Sequence, residues 1–99
     1  MVHHIVCWNF KEELSKEERI LAGNTIKEKL EAIKDCVEGV VSIQVKMNEL
    51  SSSNKDIALI SSFETVEALN AYQVSPEHVE AGKYVRSVVC DRACFDYED

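Results

Sequence analysis

A chain of 99 residues with 45% hydrophobic and 29% charged side chains, 3 Gly and 1 Pro has the make-up of one folded domain over residues 1–99, not of a disordered or collagen-like polymer. Its 18 acidic and 11 basic side chains give a formal net charge of −7, which repels a phosphate backbone and argues against a nucleic-acid partner. The opening MVHHIVCWNF has no basic leader pattern, and no apolar run approaches the roughly 20 residues that span a bilayer, so a cytoplasmic protein without a membrane partner is expected.

Residues 2–10, VHHIVCWNF, predict a first strand with Val2, His4, Val6, Trp8 and Phe10 on one face and His3, Ile5, Cys7 and Asn9 on the other. Both faces carry apolar side chains, whereas an antiparallel sheet wetted on one side alternates cleanly. A capping box at Ser15 and Glu18 then opens a long helix, with Ile20, Leu21, Ile26, Leu30, Ile33 and Val37 as its apolar positions and Gly39 placed to end it. The other face of that helix, with Lys16, Glu17, Lys27, Glu28, Glu31 and Lys34, has the charge mixture of a solvated surface.

VVSIQVKM, residues 40–47, predicts a half-polar second strand near a sheet edge, NELSSSNKD a long hairpin connection, and IALISSF, residues 57–63, a third strand. A second helical region starts near Thr65, with Val66, Leu69, Tyr72 and Val74 on its inner side. YVRSVVCDRACFDYED then predicts a fourth strand, in which Val89, Asp91, Ala93, Phe95 and Tyr97 share a face. The cysteines Cys7, Cys36, Cys90 and Cys94 contain no C-x2-C pair. Four strand residues span about 13 Å, roughly twice the Cα separation of a disulfide, so Cys90 and Cys94 cannot bridge, and buried reduced thiols are expected.

The order is βαββαβ, an α+β chain with the ferredoxin-like arrangement of two split βαβ units over one antiparallel sheet. Both helical regions cover one face of such a sheet. The apolar second face of the first strand therefore predicts a homodimer in which two sheets pack face to face, a dimeric α/β barrel.

The stretch ALNAYQVSPEH, residues 68–78, breaks a helix at a Ser-Pro step. In an unbroken helix Tyr72 and His78, six residues apart, would point about 120° apart. Pro76 forbids that continuity and favours a new helix with Ser75 as N-cap and His78 in its first turn. There the helix dipole favours neutral imidazole, the form a general base requires. Tyr72, as a phenol, could hydrogen-bond a carbonyl whose enolate develops as His78 removes an α-proton. The bland alternative is that the two side chains only pin the kink. A further alternative is a metal ion held by His78 with Glu77 and Glu80. No Gly-rich phosphate loop, nucleophile elbow or zinc spacing is present, so no organic cofactor or structural metal is expected.

The segments VHHIVCWNFK, SFETVEALNAYQVSPEHVEAGKYVRS and FDYED resemble the stress-responsive dimeric α/β barrel (Dabb) family over essentially the whole chain. The family's pattern has a histidine in the first strand, F-x-[ST]-x-x-x-[LI]-x-x-Y-x-x-H-P-x-H-V in the second helical region, and a closing D-Y pair. The resemblance implies a ferredoxin-like subunit that dimerises through its sheet. Plant polyketide cyclases of the family use the motif tyrosine and second histidine as an acid–base pair in an aldol-type condensation; those positions match Tyr72 and His78, and the pocket histidine of the first strand matches His4. The first motif histidine is Ser75 here, and IALISSF lacks a pocket histidine that the cyclases carry. The resulting expectation is a pocket between helices and sheet walled by His4, Val6, Trp8, Leu59, Tyr72 and His78, taking a small carbonyl or aromatic compound.

Overall fold

A computed structural model describes residues 1–99. In chain order the elements are β1 (Val2–Phe10), α1 (Lys16–Glu31), a 3-10 turn (Ala32–Asp35), β2 (Val40–Lys46), β3 (Ile57–Phe63), α2 (Val66–Val74), α3 (Pro76–Val88) and β4 (Val89–Glu98). The four strands form one antiparallel sheet in the order β2-β3-β1-β4, the ferredoxin-like topology expected from βαββαβ.

The helices cover one face. Val6, Trp8, Leu59, Phe63 and Val45 from the strands close against Ile26, Leu30, Leu69, Tyr72 and Val85 from the helices. The core stripe of α1 is Ala22, Gly23, Ile26 and Leu30, at the spacing of one helical face. Ile20 and Leu21, expected inside, are exposed: at 100° per residue they lie about 120–140° from Ile26. The same geometry exposes Val66 and Val74, which stand well off the direction of the buried Leu69 and Tyr72.

Three further expectations are corrected. The helix after Ser15 ends at Glu31 and tightens into the 3-10 turn, so Gly39 closes the following turn and not the helix itself. Helix α3 runs through Val88, taking the first five residues assigned to the fourth strand; Ala81 and Val85, one turn apart, bury its inner side. The thiols are free, as expected, but Cys36 and Cys94 are exposed and Cys7 and Cys90 only partly covered.

The two edges of the sheet are treated differently. On β2, the Val45 N–H donates to Glu31 Oε2 at 2.9 Å, and Lys27 Nζ donates to the same carboxylate oxygen at 2.6 Å. Two residues of the charged face of α1 thus cover a strand edge instead of merely facing solvent. On β4 the register with β1 shifts between the Cys7↔Ala93 and Asn9↔Cys90 pairs, a bulge carrying Asp91 at φ 54°. The expected common face of Val89, Asp91, Ala93, Phe95 and Tyr97 is therefore split: Val89 is buried under the helices, while Ala93, Phe95 and Tyr97 pair with the outward Cys7, Ile5 and His3.

Gly39 has φ 87°, its carbonyl accepts from the Glu64 N–H at 2.9 Å, and a Cβ there would lie 2.6 Å from the Cβ of Ala68. Gly39→Ala should destabilise the fold by at least about 1–3 kcal/mol through left-handed strain alone. Urea denaturation measures it, and a midpoint equal to that of the parent protein would refute the assignment.

Candidate functional site

The site is built at the junction of α2 and α3. Thr65 caps α2, accepting from the Ala68 N–H. The helix stops at Val74, and Ser75 adopts φ −64°, ψ 146°, the extended geometry that a following proline imposes. The Ser75 Oγ donates to the Tyr72 carbonyl at 2.8 Å and accepts from the His78 N–H at 3.2 Å. The redirected backbone brings the Tyr72 and His78 rings together with centroids 4.6 Å apart.

A cavity of about 200 Å³ opens beside them. All six side chains named from the sequence, His4, Val6, Trp8, Leu59, Tyr72 and His78, line it, together with Leu30, Gly82, Val85, Arg86 and Arg92. Two larger depressions, of about 390 and 490 Å³, lie around residues 46–58 and beside the first half of α1. The one buried side-chain polar atom without a partner is the hydroxyl of Tyr72, a residue of the smaller cavity's wall.

Tyr72 has no exposed surface, and removal from water pushes its phenol up to about 12, so it is a neutral donor throughout the physiological range. The His78 pKa is lowered below its usual value, chiefly by burial, with His4, Arg86 and Arg92 adding positive repulsion. A hydrogen bond to the Gln73 carbonyl, 3.1 Å from Nδ1, opposes the shift. That carbonyl can only accept, so Nδ1 carries the proton, and the lone pair sits on Nε2. His78 is thus tied to backbone, while the Tyr72 hydroxyl has no protein partner.

Beside Tyr72, with ring centroids 6.3 Å apart, His4 is buried, its Nδ1 2.5 Å from Asp96 Oδ1. Cys94 Sγ stands 3.4 Å from the same carboxylate oxygen, and the imidazole, thiol and carboxylate offer donor atoms within 4.8 Å of one another. The donors suited to a metal therefore gather around His4 and not around His78, whose neighbours Glu77 and Glu80 are exposed. Burial, followed by Asp96, pushes the Cys94 thiol up, which keeps it protonated, and the His4 Nδ1 is already engaged by the carboxylate.

Asp96 sits in the closing FDYED segment, so a signal for it was present, and it faces the helices because it pairs with His4 in register. Gly82 and Arg86 follow His78 at intervals of four, and Arg86 was hidden by reading the run from Tyr84 onward as strand. Arg92 reaches the cavity only because of the bulge, for which Asp91 gave little warning.

The sequence profile of the stress responsive A/B barrel domain family matches residues 2–99. Among solved structures, a dimeric protein of unknown function and ferredoxin-like fold from Bacteroides fragilis superposes with a TM-score of 0.91 at 34% identity, over 99% of this chain and 95% of that one. A protein from Arabidopsis thaliana gives 0.76 at 19% identity over 100% and 95% of the two chains. A hydroxynitrile lyase from Passiflora edulis gives 0.78 at 17% over 97% and 90%; these last two likenesses are of fold. No curated protein sequence matches significantly.

An unpartnered buried hydroxyl contributes nothing to stability, so Tyr72→Phe should unfold at pH 7 with a free energy equal to the parent's or up to about 1–2 kcal/mol higher. The phenol pKa is raised on folding, so its contribution is intact below the unfolded value near 10 and is lost as pH rises through about 12. The parent should therefore lose roughly 2–3 kcal/mol more than the variant across that range. Denaturation curves at both ends test this; a variant clearly less stable at pH 7 would assign the hydroxyl a structural role.

Proposed function

Because the chain belongs to the stress responsive A/B barrel domain family, we propose that it acts as a homodimer whose subunits each bind a small carbonyl compound and move a proton on it. The observation that carries this reading is the Tyr72 hydroxyl, fully buried, unpartnered and beside an imidazole. Buried polar groups are almost always hydrogen-bonded, and a ligand oxygen is the partner this one lacks.

In the proposed step His78 Nε2 takes an α-proton from the bound compound. The C–H electron pair moves into the carbonyl, giving an enolate whose oxygen accepts a hydrogen bond from Tyr72. The enolate then recovers the proton from His78 or attacks an electrophile. Val6, Trp8 and Leu59 exclude water, and His4, held by Asp96, packs edge-on against Tyr72. The same fold supports a lyase that, by its name, acts on hydroxynitriles, the cyanide adducts of carbonyl compounds. The second reading, a dimer without chemistry, is favoured by the His78 bond to Gln73, which stiffens the junction without any ligand.

Pairing through the outer face of the sheet follows from its composition. Phe95 is 66%, Ile60 42% and Tyr97 41% exposed on one surface with the half-covered Ile5 and Cys7. A contiguous apolar patch on so small a domain calls for a partner, and the Bacteroides fragilis relative is described as dimeric.

Two measurements test these statements. In deuterated water the protein should accelerate α-hydrogen exchange of small ketones, with a rate that rises as His78 loses its proton below pH 6.5 and then stays level. His78→Gln or Tyr72→Phe should each lower that rate by about 100-fold or more; no acceleration by the parent protein selects the reading without chemistry. In sedimentation the parent should run as a dimer and Phe95→Glu as a folded monomer, whereas a monomeric parent removes the proposed interface.

A further inference from the structure

The carbonyl pocket has a charged rim that the acid–base pair does not use. Arg86 and Arg92 both line the cavity, and neither forms an ion pair, although acidic residues outnumber basic ones 18 to 11 in this chain. By contrast, Arg19 is paired with Asp56, and Lys27 with Glu31. Arg86 and Arg92 are both solvent-exposed residues, so the two guanidinium groups stand at the cavity's rim free to meet a ligand.

Both are placed by local features that work against ordinary backbone preference. Gly82 lies in the interior of α3, where glycine weakens a helix by roughly 1 kcal/mol against alanine. A Cβ at that position would meet Arg86 Nη1 at 3.0 Å, so the missing side chain leaves room for the guanidinium to fold back one turn over the cavity. Arg92 follows the bulge. Its neighbour Asp91 is held at φ 54° while Lys55 Nζ donates to its carbonyl at 2.8 Å, and the one extra residue turns Arg92 to the helix side with His4 and Trp8.

We propose that the compound bound here is a carbonyl acid, its carboxylate held by Arg86 and Arg92 while its carbonyl oxygen meets the Tyr72 hydroxyl. This rests on the carbonyl-pocket reading and adds the charge of the ligand to it. A planar, forked guanidinium suits a carboxylate in two-point contact, and a cavity of about 200 Å³ limits the compound to a few carbon atoms beyond the two groups. The anion would also offset the two cations that, with His4, repel a proton from His78, so binding should raise the His78 pKa.

Levulinate and methyl levulinate have the same ketone and differ in the charge of the distal group, which makes them a direct probe pair. Each is titrated into the unaltered protein while the His78 ring is followed by NMR, with inorganic phosphate as a competing anion. Levulinate should shift the His78 signals and raise its pKa, and the ester should bind about ten-fold more weakly or worse. Arg86→Gln with Arg92→Gln should remove the preference for levulinate over the ester. Equal binding of acid and ester would overturn the charge assignment and leave the carbonyl pocket standing. Phosphate binding more tightly than levulinate would overturn the carboxylate, and failure of both probes to perturb His78 would overturn the pocket reading along with it. The acid–ester comparison uses the parent protein and does not depend on a variant folding.

Discussion

The hydroxyl of Ser75 holds together two helices that the adjoining proline forces apart. It donates to the last turn of α2 through the Tyr72 carbonyl and accepts from the first turn of α3 through the His78 N–H. Helix ends leave carbonyls and N–H groups without partners, and a buried end without a substitute is costly. One oxygen here answers both ends, which allows the junction to lie under the surface with Ser75 only 8% exposed. The angle between the helices is then set by chemistry that tolerates little slack, and the angle puts two rings six residues apart in contact.

Around that fixed junction the pocket is polar at few points and apolar elsewhere. Val6, Trp8, Leu59 and Val85 make a wall of low polarity, and burial is the largest cause of both titration shifts: it raises the phenol of Tyr72 and lowers the imidazole of His78, to which the nearby cations add. Each shift stabilises the neutral form. The pair is thus held as a donor and an acceptor over one broad pH range, with no ion between them to neutralise. Such an arrangement costs stability, because an unpaired buried hydroxyl is worse for folding than a phenyl ring of the same shape.

The sequence made the junction legible through local rules, and the family resemblance pointed to His4, Tyr72 and His78 in the cavity wall. Caps, a Ser-Pro step and strand alternation act within a few residues, and Ser15, Thr65 and Ser75 all cap as their side chains predict. What stayed hidden depends on tertiary choices. The run YVRSVV is β-branched enough to pass for strand, and only packing of Ala81 and Val85 against the core decides for helix, which then presents Arg86 to the cavity. Ile20 and Leu21 are apolar and helical yet exposed, because the small residues Ala22 and Gly23 take the inward position; a Cβ on Gly23 would strike Met47.

The bulge at Asp91 had the least signal and governs the most. Side chains alternate along a strand, so one extra residue exchanges the faces of everything beyond it. With the bulge, Arg92, Cys94 and Asp96 turn to the helices, and Ala93, Phe95 and Tyr97 turn to the outer face. In an unbulged strand continuing from the buried Val89, those two sets would change places: Arg92 would leave the cavity, and two aromatic rings would be driven into a core already filled. Contacts on both faces hold the observed register. On the inside Asp96 meets His4 directly across the strand pair, and on the outside His3 stacks on Tyr97 with ring centroids 4.6 Å apart. The Arg92 share of the pocket charge and the Phe95 and Tyr97 share of the outer apolar surface are therefore not independent; a single backbone irregularity places all three, and a change that erased it would displace them together.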